Sequence, residues 1–317
     1  MRLGILGTAD IAFRRFLPAL QKCPGITYAG IASRTIEKTA CFVETYGGIG
    51  YQSYESLLED NSIDAVYVPL PPALHYEWGS KVLASGKHLL MEKPFTTSLK
   101  DTNELLAIAE GKGLAVHENY MFLYHSQLQK IKEMIADGTL GDLRLLRMSF
   151  GFPRRGENDF RYNKALGGGA LLDCGGYPVR LALELLGESA QVVHAKLSQP
   201  EGYEVDLFGS AVLENTDGLC AQISFGMDNA YQCQLEIWGS KATLIAPRIF
   251  TAPPDMPPAL LLKRSDGEEE LILEADNAFL NSLTVFHMAC THNGLQEKVQ
   301  IRRQGILIDA IMKGVVS

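Results

Sequence analysis

Leu3-Gly4-Ile5-Leu6-Gly7-Thr8-Ala9-Asp10-Ile11-Ala12 decides the fold. A short apolar strand runs into a turn at Gly7, and a helical stretch follows to about Gln21. The spacing is G-x-A-x-x-A, a variant of the fingerprint that seats a dinucleotide pyrophosphate at a helix N-terminus. Gly7 makes the tight turn, Ala9 stands where a second glycine is usual, and Ala12 lets helix and strand pack closely. Small residues are needed because backbone N–H groups must approach the phosphates. Gly7, Thr8, Ala9, Asp10, Ile11 and Ala12 are therefore the first candidate cofactor contacts.

The same alternation continues outward from this stretch. Strands are expected at 27–32, 63–68, 89–91 and 115–119, with helical stretches at 35–46, 53–60, 75–85 and 98–111. Crossovers of that length join parallel strands, so residues 1 to about 120 read as an α/β Rossmann domain with a doubly wound, mainly parallel sheet. The second strand ends in Ser33-Arg34, where an NAD-selective enzyme usually places an acidic residue on the adenine ribose. A hydroxyl and a fork of guanidinium donors suit a 2′-phosphate instead, so NADP(H) is expected over NAD(H). The competing reading pairs Arg34 with Glu37.

Two further strand ends carry signals. Pro69-Leu70-Pro71-Pro72-Ala73-Leu74-His75 forms a rigid wall, with Pro69, Leu70 and His75 as candidate cofactor contacts. Leu89-Leu90-Met91-Glu92-Lys93-Pro94 delivers a lysine at the carboxyl end of a strand, in the crevice where open α/β sheets hold ligands. Glu92, Lys93 and Asn119 complete the expected cofactor set. The proline fixes φ and has no N–H, which pins the turn that aims Lys93.

From residue 121 the pattern changes. A helix at 127–137 and a strand at 143–150 precede Gly167-Gly168-Gly169-Ala170-Leu171-Leu172-Asp173-Cys174-Gly175-Gly176-Tyr177, which opens a helix to about Leu186. Asp173 and Tyr177 are four apart and are expected on one helical face, with the glycines leaving room for a flat ring system. Asp217-Gly218 and Asp266-Gly267 are hairpin turns. Gln232, Gln234 and Glu236 alternate with Cys233, Leu235 and Ile237, which predicts a half-buried strand. Residues 121–317 thus read as an α+β domain with a large, mainly antiparallel sheet, for substrate binding and oligomerisation.

Composition narrows the function. The chain has 317 residues, a formal net charge of −8 and 46% hydrophobic residues. Such a charge argues against nucleic acid or an anionic membrane as partner. Six cysteines without C-x-x-C spacing read as reduced thiols of a cytoplasmic protein. Met1-Arg2-Leu3-Gly4 enters a strand at once, leaving no signal peptide, and no run is apolar enough to span a membrane. The histidines make no metal-binding motif, so no metal site is expected. Arg14, Arg15, Arg154, Arg155 and Arg161 can receive a diphosphate or serve as plain surface charges.

Taken together, the fingerprint, Glu92-Lys93-Pro94, the Pro69–His75 wall and the glycine run leading to Asp173 and Tyr177 resemble the Gfo/Idh/MocA oxidoreductases along nearly the whole chain. Ala9-Asp10-Ile11-Ala12-x-Arg14-Arg15-x-Leu17-Pro18-Ala19-Leu20 and Asp159-Phe160-Arg161-Tyr162 are most similar to the NADPH-dependent nucleotide-sugar 3-ketoreductases. His125-Ser126-Gln127 departs from the usual His-Pro-Gln. The resemblance implies reduction of a keto group on a nucleotide-linked deoxyhexose. Lys93 would polarise the oxygen, Tyr177 would be the acid, and Asp173 would orient Lys93 or a sugar hydroxyl. Arg161 and Tyr177 are the expected substrate contacts, and a homodimer or homotetramer through the C-terminal sheet is expected. Two alternatives stand beside this: an NADP-dependent dehydrogenase of a free sugar or trans-dihydrodiol, and a non-catalytic dinucleotide-sensing regulator.

Overall fold

The computed structural model describes residues 1–292 and 295–314, which fall into two compact units. One unit comprises Met1–Asn119 and Phe279–Arg302; the other comprises Tyr120–Ala278 and the chain from Arg303 on. From sequence, one boundary is expected near residue 120, with 279–302 in the second half. In the structure those residues belong to the first unit.

The first unit is built on six parallel strands: β1 (Arg2–Leu6), β2 (Thr27–Ala32), β3 (Ile49–Tyr51), β4 (Ala65–Val68), β5 (His88–Met91) and β6 (Val116–Glu118). Their spatial order is β3-β2-β1-β4-β5-β6, so the order reverses between β1 and β4. Ligands bind at such a reversal in open α/β sheets. Buried strand residues alternate between two cores because successive side chains point to opposite faces. Leu3, Ile5, Tyr67 and Leu90 pack with Phe16, Leu17 and Leu20 on one face. Leu6, Val66, Val68, Leu89 and Met91 pack on the other with α4 (His75–Ala84) and α5 (Leu99–Lys112). The expected doubly wound sheet is thus present.

Three local features were not read from sequence. The helix after Gly7 begins with a π-helical turn, Ala12–Phe16, before α1 (Leu17–Leu20). The strand β3 is three residues long at the sheet edge, too short for a periodic signal. Past the second sheet lie two helices, α8 (Ala278–His292) and α9 (Leu295–Lys313). Leu283 and Phe286 of α8 fill the β1-side core, and Ile301 of α9 fills the other. The remaining helices of this unit are α2 (Ala40–Tyr46) and α3 (Tyr54–Leu58), the latter started by a Ser53–Ser56 capping box.

The second unit holds eight strands: β7 (Leu143–Gly151), β8 (Gln191–Ser198), β9 (Phe208–Glu214), β10 (Cys220–Gly226), β11 (Gln232–Gly239), β12 (Thr243–Ala246), β13 (Ala259–Arg264) and β14 (Gly267–Ile272). They are ordered β14-β13-β12-β11-β7-β10-β9-β8, and only β7 and β10 pair in parallel. One face is buried under α6 (Ser126–Ala136) and α7 (Gly176–Leu186), while the other carries polar residues. The expected alternation holds along β11, where Cys233, Leu235 and Ile237 are buried. Both expected hairpins are present.

Candidate active site

In the first unit, candidate residues gather at the carboxyl ends of the parallel strands. Gly7 sits at φ +98°, in the region glycine adopts without a Cβ penalty. A Cβ there would stand 2.6 Å from Leu70 Cδ2, so the loop after β4 closes directly on the β1 turn. The Gly7 N–H donates to Ala32 O at 2.9 Å, tying the turn to the end of β2. Beyond it, Ser33 is buried and its hydroxyl accepts from Thr35 N–H at 3.3 Å, whereas Arg34 is exposed. Burial raises the Tyr54 phenol, and the Arg34 guanidinium beside it opposes that rise. No ion pair joins Arg34 to Glu37 among the described residues; its guanidinium instead faces the Tyr54 phenol. Asp10 instead pairs with Arg14 at 2.7 Å on the exposed first turn. A glycine turn at the sheet reversal, a helix start beside it and an exposed guanidinium at the end of β2 fit a phosphorylated dinucleotide.

The turn after β5 is fixed at three successive points. Glu92 Oε2 accepts from the Lys93 N–H at 3.3 Å. The Pro94 carbonyl faces His75 Nδ1 at 2.7 Å, and the Phe95 N–H donates to Glu118 Oε1 at 2.7 Å. The Lys93–Pro94 bond is cis. His75 is fully buried, and its second ring nitrogen lies 2.7 Å from Leu70 O, so the ring sits between the β4 loop and the Lys93 turn, where a neutral imidazole donates its one N–H to one of these two carbonyls. Burial, with the Lys93 charge adding to it, pushes His75 down to about 4 against the pull of those carbonyls.

Glu92 is itself held. Its Oε1 accepts from Tyr67 O–H and from Asn119 Nδ2, both at 2.7 Å. Burial pushes this carboxyl above the usual range, while the Tyr67 and Asn119 donors and the Lys93 charge pull it back. Tyr67 is in turn stacked on Phe16 at 3.8 Å. His75 and Asn119, expected as cofactor contacts, thus spend their side chains on holding the loop that carries Lys93. Pro69 and Leu70 are buried, and Leu70 lies against the Gly7 turn.

In the second unit, Tyr177 stands at the start of α7. Its ring is 7% exposed, at 4.9 Å from Phe150, 5.1 Å from Tyr120, 5.8 Å from Phe122 and 5.9 Å from Phe250. Immediately before it, Leu171–Gly175 winds as a π turn, a feature that often marks functional helices. Asp173 lies in that wider turn and receives Arg161 Nε at 2.8 Å, while Arg161 Nη1 reaches Asp159 at 3.1 Å. Burial works against the Arg161 charge, and Asp173 and Asp159 more than offset it. Arg161 is therefore matched by two carboxylates.

The glycines between Asp173 and Tyr177 face protein rings rather than a bound ring system: a Cβ on Gly175 would lie 3.0 Å from the Phe225 ring, and one on Gly176 would meet the Tyr120 hydroxyl, while the glycines before Ala170 serve the backbone. A Cβ on Gly168 would lie 2.3 Å from Arg161 O, and one on Gly169 would lie 2.5 Å from Asp206 Oδ1. Asp206 caps the helix start, its Oδ2 accepting from Leu171 N–H at 2.8 Å. Like Tyr67, this aspartate is not marked by the sequence as a site residue. It lies thirty-odd positions from the helix it caps, and no local pattern marks it.

Such an assembly of a Rossmann unit and a sheet-based α+β unit is the architecture of a nicotinamide-dependent oxidoreductase. Residues 1–120 match the oxidoreductase family with an NAD-binding Rossmann fold, and residues 128–245 match the GFO/IDH/MocA C-terminal domain. The chain belongs to the Gfo/Idh/MocA family, and it is an oxidoreductase acting on CH–OH or C=O groups. It is similar to dTDP-3,4-didehydro-2,6-dideoxy-alpha-D-glucose 3-reductase of Actinomadura kijaniata, 39% identical over 316 residues, 99% of this chain and 95% of the relative. The enzyme of the same name from Streptomyces violaceoruber is 40% identical over 322 residues, 98% of this chain and 94% of the relative. The crystal structure of KijD10, a 3-ketoreductase from Actinomadura kijaniata with NADP and TDP-benzene, superposes with a TM-score of 0.96 at 39% identity, covering 99% of this chain and 97% of that one. KijD10 has also been crystallised with a lysine replaced by alanine and with a tyrosine replaced by phenylalanine. No helix is long and apolar enough to cross a membrane, and no cluster of metal-ligating side chains occurs, among the described residues.

Proposed function

We propose that this chain reduces the C3 keto group of a dTDP-linked deoxyhexose, using NADPH. The observation that carries the reading is the Lys93 turn, held at three consecutive residues by Glu92, His75 and Glu118. A backbone fixed so closely aims one ammonium, and a positioned cation polarises a carbonyl oxygen as charge develops on it. The relatives of nearly full length support the substrate class. Further support comes from KijD10, whose altered lysine and tyrosine lie as far apart in sequence as Lys93 and Tyr177 do.

NADPH, when bound, supplies the hydride to the carbonyl carbon. The chain supplies the proton. In this reading Lys93 draws electron density onto the keto oxygen and Tyr177 donates its phenolic proton there. The aromatic rings around Tyr177 fix its approach, and Lys93 lowers the cost of the phenolate left behind. Asp173 and Arg161 form a matched pair whose part is to shape the wall beside the sugar. Gly7 to Ala12 and Ser33-Arg34 hold the pyrophosphate and the 2′-phosphate, which selects NADP(H) over NAD(H). The protein works in the cytosol as a homodimer or homotetramer joined through the open face of the eight-stranded sheet, where Phe208 and Trp238 stand exposed.

The test follows loss of NADPH absorbance with a dTDP-linked 3-keto-2,6-dideoxyhexose, against NADP with free xylose. Turnover of the nucleotide sugar alone is expected. Turnover of xylose alone would replace the proposal with a free-sugar dehydrogenase.

A further inference from the structure

We propose that Ser282 is a positioning residue for the Lys93 turn: its hydroxyl fixes the side-chain amide of Asn119 so that the amide N–H groups face Glu92. This rests on the reading of Lys93 given above. Ser282 lies on α8, far from Lys93 in the chain, and joins it through a directional series of hydrogen bonds inside the first unit.

The direction is set at Glu92. An ionised carboxylate can only accept, so Tyr67 O–H, Asn119 Nδ2 and the Lys93 N–H must all donate to it. With its NH2 committed there, Asn119 turns its carbonyl oxygen away. That oxygen is 2% exposed with its residue and finds Ser282 O–H at 3.0 Å. A serine hydroxyl has one proton, now spent, so Ser282 must accept from its other neighbour. That neighbour is His117 Nε2 at 2.9 Å, which therefore carries the proton. His117 Nδ1 lies 3.7 Å from Glu297 Oε1 on α9.

Strand geometry explains how β6 serves both ends. His117 and Asn119 are two apart and share one face, which meets Ser282. Glu118 points to the opposite face and takes the Phe95 N–H. Ser282, His117 and Asn119 are buried, so a bond unmade among them is not replaced cheaply by bulk solvent. Without the Ser282 hydroxyl, the Asn119 amide is held toward Glu92 by the carboxylate alone, its buried oxygen is left without that bond, and its donation to Glu92 loses its fixed geometry. Among the described residues, the titratable groups that act on Glu92 include Tyr67 from β4 and Lys93 from its own turn, while Glu118 takes the Phe95 N–H.

The experiment labels glutamate carboxyl carbons with 13C in the full chain and follows Glu92 by NMR across pH, assigning its signal with Glu92→Gln. Ser282→Ala is expected to move the Glu92 midpoint up by about one pKa unit, the scale of a lost charge-assisted hydrogen bond. The acid limb of kcat/KM should move with it, without loss of NADPH affinity. Ser282→Thr, which keeps the hydroxyl, should bring both back. His117→Phe cuts the series one link further out and should shift Glu92 the same way by less; it serves where Ser282→Ala does not fold. An unmoved Glu92 midpoint in either folded variant overturns the inference. If the protein reduces no keto sugar while Glu92 shifts, the function proposal falls and this one stands.

Discussion

The Lys93 turn and the start of α7 hold their key side chains by opposite means. Around Lys93 the backbone is gripped by hydrogen bonds to Glu92, His75 and Glu118, and the gripping groups are titratable. Around Tyr177 the grip is apolar: four aromatic rings enclose the phenol, and a helix cap sets the turn before it. A polar clamp gives direction and responds to pH. An aromatic nest gives rigidity and responds to lost volume.

The largest expected effect removes the two groups themselves. Lys93→Met and Tyr177→Phe should each lower kcat by at least roughly 10²-fold, the usual worth of a positioned proton donor, while NADPH still binds. Steady-state kinetics with a parallel fluorescence titration of NADPH checks this. Near-normal turnover in both variants would remove them from the chemistry.

The nest is probed by Phe250→Ala. Truncating a fully buried phenylalanine should cost about 3–5 kcal/mol of stability in denaturant unfolding, to a similar extent at every pH. The clamp is probed by acid. His75 titrates near 4 in the folded chain because burial disfavours its charge, but at its ordinary 6.5 when unfolded. The unfolded chain therefore binds the proton first, and stability should fall as pH drops from about 6.5 to about 4, by up to about 3 kcal/mol. Replacing His75 with Gln should flatten that slope, and an unchanged slope would show that the clamp is not the acid-sensitive element. The smallest effect belongs to the cap. Asp206→Ala should cost about 1 kcal/mol, read as a lower thermal midpoint with the same spectrum.

How far the sequence could be read depends on distance along the chain. The strands β1, β2, β4, β5 and β6 announce themselves because their apolar runs are bounded by local turn residues. The hairpin turns at Asp217-Gly218 and Asp266-Gly267 were equally legible. Lys93 and Tyr177 stood out through their neighbours, Pro94 and the glycines. The glycines between Asp173 and Tyr177 suggest room for a bound ring because sequence shows only that space is needed, not what fills it; Phe225 and Tyr120 fill it. Nothing local marks Ser282, His117 or Tyr67 as partners of the Glu92 turn, since their bonds close over tens to hundreds of residues. For the same reason α8, whose partners are strands at the other end of the chain, left no recognisable signal.

One measurement bears most directly on the whole account: mass spectrometry and NMR of the product formed from dTDP-linked 3-keto-2,6-dideoxyhexose and NADPH deuterated at the transferable C4 position. The account predicts one deuterium on the former carbonyl carbon, which now bears the new hydroxyl, with labelled product formed at least roughly 10²-fold more slowly when Lys93→Met or Tyr177→Phe replaces the native chain. Recovery of unreduced substrate with the native chain, or label transfer undiminished in both variants, would contradict it.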